Sequence, residues 1–147
     1  MFNELTVAVV IVSLCLLLHV ATIMLMARAL IGWWERTDRK GRIVHFSVLM
    51  ILVFAVIMLL HVAEAALWAG FYYARQLFSD YETSLYFSFT SYTTIGYGDI
   101  LLPQRWRLLG AIEGISGVLL CGISTAFIFA IMNAMFQERW RQLRIDK

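Results

Sequence analysis

The chain has 147 residues, of which 61% are hydrophobic and only 15% charged, where a soluble domain averages about 45–50% apolar and about 25% charged. Departure on both counts argues against a water-soluble globular domain and makes a membrane protein the first class to test. The formal charge of +2 points to no nucleic-acid partner, and two cysteines, Cys15 and Cys121, both inside apolar runs, indicate neither a disulfide framework nor a metal site.

The first apolar run, residues 5–27, is 23 residues free of Asp, Glu, Lys and Arg. About 20 suffice to cross a hydrocarbon core as a helix. It lacks a positive leading segment and its basic cluster follows it, so it reads as a retained helix over about 6–30 rather than a cleaved signal peptide. Trp33 and Trp34 then mark an inner interface, and residues 33–42 form a short loop of mixed charge. The second run, residues 43–63, has 21 uncharged residues, and its helix is expected over 43–75, long enough to tilt or project.

Residues 76–82 are a polar connector. Thr83, with Glu82 beside it, is expected to begin a short helix over 83–93. The uncharged stretch 83–98 has 16 residues, apolar and aromatic first, then rich in Thr, Ser and Gly. It is too short to span and too polar at its end to face lipid, so it reads as re-entrant. After a loop holding Pro103, the third run, 114–137, has 24 uncharged residues, within a helix expected over 106–143. No soluble gating domain is expected after it. Nine of the 12 Lys and Arg lie between the first two runs or after the last. The positive-inside rule places those segments in the cytoplasm, with the N-terminus and the re-entrant mouth outside the cell membrane.

The residues Thr93, Thr94, Ile95, Gly96, Tyr97, Gly98 and Asp99 carry the chemistry. An ion that sheds its water must find replacement oxygens, and backbone carbonyls turned to one side supply them. Successive carbonyls normally alternate in direction. Turning them one way needs left-handed dihedrals at every second residue, which the glycines at 96 and 98 tolerate. Thr94 adds a hydroxyl, while Ile95 and Tyr97 point away and pack as a cuff.

This run resembles the signature of the potassium channel superfamily, and residues 43 to about 137 are similar to its outer helix, pore helix, filter and inner helix. The resemblance implies an all-α membrane protein: a pore domain over 43–147 preceded by an extra helix and loop over 1–42. It implies three spanning helices, a re-entrant pore helix with its filter, and a fourfold homotetramer in a lipid bilayer. It implies passive conduction of K+, no cofactor and no enzymatic activity. K+ would be coordinated by Thr94, Ile95, Gly96 and Tyr97, with Gly98 as a backbone requirement and Asp99 as the acid at the outer mouth. Where the best-known bacterial two-helix channels carry two tryptophans and a glutamate on the pore helix, this chain has Tyr86, Phe87 and Thr90. Tyr86 is expected to reach Asp99, and Ser91 to stand in as a donor toward Tyr97. A subunit of a potassium transport system or a weakly selective cation channel are the alternatives.

Three further features need partners. Gly110, Gly114 and Gly117 read as helix packing positions, and Gly122 as a candidate hinge; Ser124, Thr125 and Asn133 line a wet cavity or bond between helices. Two buried acids, Glu64 and Glu113, are expensive in lipid and should face protein or water. Glu113 is expected to brace the pore helix through Thr90 or Ser91. His61 and Glu64 share a helix face, and a hydrogen-bonded pair is favoured over a metal site or proton relay. His19 and His45 have no evident partner. An intramembrane enzyme on His61, Glu64 and Glu113 would leave the Thr-Ile-Gly-Tyr-Gly run unexplained.

Overall fold

The computed structural model describes residues 2–37 and 39–145; Met1, Asp38, Asp146 and Lys147 lie outside that description, as do the side chains of residues 2, 3, 39–44, 139 and 142–145. Among the described residues the chain is four α-helices and one 3-10 turn. These are α1 (Phe2–Arg36), α2 (Arg39–Ala74), α3 (Tyr81–Tyr92), the turn Gln104–Trp106, and α4 (Arg107–Ile145). Three of them contain segments long and apolar enough to cross a membrane: Glu4–Arg36, His45–Ala74 and Gln104–Glu138. The short α3 lies against both α2 and α4, and α1 lies against the same two helices.

Each long helix offers one narrow stripe to the others and leaves the rest open. On α1 the buried side chains are Glu4, Ala8, Ile11, Cys15 and His19; on α4 they are Leu109, Glu113, Ser116, Leu120 and Ser124, with Gly114 and Gly117 buried beside them. Both sets step by three or four residues, one face of a helix. Around them, Val9, Leu17, Ile51, Leu59 and Leu119 are all more than half exposed, as expected of helices solvated by lipid rather than water.

Several boundaries differ from the sequence expectation. Helix α1 runs on through Gly32 to Arg36 and α2 begins at Arg39, so most of the loop expected over 33–42 is helical. An interior glycine costs only about 1 kcal/mol against alanine, which packing along the rest of the helix absorbs. The cap of α3 is Asp80, not Thr83: its carboxylate accepts from Thr83 N at 2.7 Å and Thr83 Oγ1 at 2.9 Å. The Ser79 hydroxyl and then those Thr83 donors hold the Asp80 carboxyl below its usual range. The cap is therefore in place at neutral pH and is lost as pH falls through that lowered value. At the same end of the molecule Arg105 Nε donates to Glu4 Oε1 at 2.7 Å. This joins the start of α1 to the loop ahead of α4, although an ion pair with so exposed an arginine adds little stability.

Candidate functional site around the end of α3

The last turn of α3 does not simply stop. Thr93 N donates to Phe89 O at 3.1 Å, Thr94 N to Ser91 O at 2.9 Å, and Gly96 N to Thr90 O at 3.0 Å. These bonds hold the start of the following loop against the helix that precedes it. Thr94, Gly96 and Gly98 then carry φ of 59°, 53° and 77°, every second residue in the left-handed region. A β-branched residue there is a strained exception, costing roughly 1–2 kcal/mol, and nothing in the sequence singles Thr94 out for it. An alternation of this kind is what turns successive carbonyls to one side of an extended strand.

The supporting residues act partly as expected. Tyr86 Oη donates to Asp99 Oδ2 at 2.8 Å. Phe87 is an apolar wedge, with ring centroids 5.4 Å from Tyr72 and 5.1 Å from Phe78. Thr90 and Thr93 turn their hydroxyls back onto Phe87 O (2.9 Å) and Phe89 O (2.6 Å). Thr90 and Ser91 thus support the loop through their carbonyls. Among the described residues no bond joins Ser91 to Tyr97.

Helix α4 seats this assembly through its glycines. A Cβ at Gly110 would lie 3.1 Å from Phe87 Cζ, at Gly114 3.0 Å from Ser91 O, and at Gly117 2.1 Å from Tyr92 O. All three are packing positions. Nothing lies within 4 Å of a Cβ at Gly122, and α4 runs unbroken through it.

Glu113 is fully buried, but its partners are not Thr90 or Ser91. Tyr72 Oη donates to Glu113 Oε2 at 2.7 Å, and Ser88 Oγ meets Glu113 Oε1. Gly114 rests on Ser91, so its neighbour on the helix reaches the turn before. Ser88 Oγ also lies 2.6 Å from Ala65 O. Ser88 therefore links the Glu113 carboxyl on α4 to the backbone of α2. Glu113→Gln keeps a donor for Ser88 and an acceptor for Tyr72, and should melt close to the wild type. Glu113→Ala leaves Ser88 its bond to Ala65 O but strands the Tyr72 hydroxyl, and should lose about 1–3 kcal/mol. Thermal denaturation of the purified protein checks this, and equal melting of the alanine variant and wild type would contradict it.

A second buried network joins all four helices, and it brings in a residue to which the sequence assigned no role. His19 Nδ1 lies 2.9 Å from Glu64 Oε1, and Tyr92 Oη donates to Glu64 Oε2 at 2.5 Å. His61 Nδ1 lies 2.9 Å from Tyr92 Oη and 3.2 Å from Glu64 Oε2. Ser124 Oγ sits 3.2 Å from Nε2 of both histidines. Ser124 therefore bonds between helices, whereas Thr125 bonds Cys121 O on its own helix at 2.8 Å and Asn133 is exposed. His61 and Glu64 do meet, but Glu113 belongs to the other network, so the three do not form one site. A visible signal did exist for His19: it continues the stripe Ala8, Ile11, Cys15 at helical spacing.

A family model described as an ion channel matches residues 46–134, from near the start of α2 through most of α4. No curated protein and no solved structure matches the chain.

Proposed function

The chain belongs to this ion channel family and is an integral membrane protein, and we propose that it is one subunit of a potassium-selective channel whose filter is residues 94–98. The observation that carries this reading is the backbone of that segment. Left-handed φ at Thr94, Gly96 and Gly98 alternates with ordinary φ at Ile95 and Tyr97, as a column of inward carbonyls requires. Carbonyls of Thr94, Ile95, Gly96 and Tyr97 replace the water shell of K+, and Asp99, held by Tyr86, sits at the outer mouth. Conduction is passive, with no cofactor and no chemistry performed on the ion.

One chain provides one wall of such a column, so the site is complete only around a symmetry axis, with four copies. Two surface features support assembly. Ile95 and Tyr97, the residues that should form the cuff, are 55% and 71% exposed in the single chain. Beside them an open groove of about 470 Å³ is lined by Thr90, Ser91, Thr94, Gly110, Gly114 and Ile115, where a neighbouring copy would lie. In the cell membrane the N-terminus and filter mouth face outward, and the basic C-terminal end faces the cytoplasm.

Native mass measurement in detergent tests the assembly directly. Four subunits are expected, and a stable dimer that still passes K+ across liposomes would contradict it.

A further inference from the structure

The network around Glu64 contains more polar contacts than it has protons. His19 and His61, if neutral, bring one N–H each; Tyr92 and Ser124 bring one O–H each. Those four protons face six contacts of 3.2 Å or less among His19, His61, Glu64, Tyr92 and Ser124. Which contacts are hydrogen bonds depends on the tautomers. Ser124 Oγ has two lone pairs, and with both Nε2–H groups donating to it, both Nδ1 atoms present lone pairs toward the Glu64 carboxylate. That tautomer places two imidazole nitrogens and a carboxylate face to face, the arrangement a bound cation completes. His19 and Glu64 are fully buried and His61 nearly so, at 15%.

We propose that His19, His61 and Glu64 form a binding site for a divalent transition-metal ion of the zinc type. Their ligand atoms all lie within 4.8 Å of one another. Bonds of about 2.0–2.1 Å in a tetrahedral site put ligand atoms roughly 3.3 Å apart. The observed separations of 2.9 Å for His19 Nδ1 to Glu64 Oε1 and 3.2 Å for His61 Nδ1 to Glu64 Oε2 need only tenths of an ångström of opening. Imidazole with carboxylate is a donor set for zinc-like ions rather than for K+, Mg2+ or Ca2+, which take oxygens. The outer partners a metal site needs are already present. Ser124 fixes both rings through Nε2, and Tyr92 donates to the carboxylate oxygen. The fourth position falls to a water. His61 is the partly open edge, with Cys121 Sγ 3.9 Å from its Nε2. An ion here would clamp α1 to α2 and, through Tyr92, to the residue at which α3 ends, giving the first helix a hold on the loop that follows. The site is separate from residues 94–98 and stands whether or not the chain selects potassium.

The test is elemental analysis of the assembled protein after equilibration with zinc chloride and desalting, followed by cobalt substitution. One zinc per chain should be retained, and cobalt should give the visible bands of a tetrahedral nitrogen–oxygen site without sulfur-to-metal charge transfer. His19→Asn and His61→Asn should each weaken binding by about a hundredfold or more, while His45→Asn should not. The proposal is overturned if assembled wild-type protein retains no zinc. It is also overturned if either ligand variant binds as wild type does, or if a thiolate band assigns the metal to Cys15 or Cys121. Should a variant fail to assemble, the wild-type stoichiometry and cobalt spectrum decide alone.

Discussion

Alanine in place of Gly117 is expected to force α4 away from the end of α3 and to disable the protein. The added Cβ would fall 2.1 Å from Tyr92 O and 3.0 Å from Tyr92 C. Both are backbone atoms, so no rotamer change relieves the clash and one helix must shift. Overpacking usually costs about 1–3 kcal/mol; a collision with main chain belongs at or above the top of that range. The displaced atom is the carbonyl of Tyr92, whose side chain anchors Glu64 and whose successors are residues 93–98. Melting temperature and potassium flux should therefore fall together. Gly122→Ala is the matched control, because a Cβ there meets nothing within 4 Å and alanine favours the helix by about 1 kcal/mol. A stable, conducting Gly117→Ala protein would mean that α3 and α4 do not pack as described.

Gly96→Ala should leave the fold standing and remove potassium selectivity. Its Cβ would have open space, with nothing within 4 Å, but the backbone sits at φ +53°. A side chain there costs roughly 1–2 kcal/mol, and in the proposed tetramer the cost recurs in every chain. Thr94 already carries a left-handed φ of 59° with a branched side chain, so the segment is strained before any substitution. The easiest relief is to flip the peptide and turn one carbonyl away from the ion. The expected result is normal assembly and melting with potassium-over-sodium permeability lost or conduction abolished; unchanged permeability ratios would remove the filter assignment.

How much of this was legible beforehand depended on how local each cause was. The three spans follow from runs of uncharged residues. The turn after α3 follows from two glycines spaced by one residue, because left-handed backbone has few other sources. The cap of α3 falls three residues before the expected Thr83 because Asp80 and Thr83 can both cap a helix; only the bond from Thr83 N selects Asp80. Contacts between helices were out of reach. Glu64 meets His19, 45 residues away, and Glu113 meets Tyr72, 41 residues away; such pairings depend on how two helices rotate against each other. Helical periodicity gives the buried stripe but not what faces it. The left-handed Thr94 had no local cue either.

The central claim is that residues 94–98 select potassium. Its most direct test is the reversal potential of currents through the purified protein in a planar bilayer, with K+ fixed on both sides at different concentrations and Na+ varied. The account predicts reversal at the potassium equilibrium potential, unmoved as Na+ is added to either side. A reversal potential that follows the sodium gradient would contradict it.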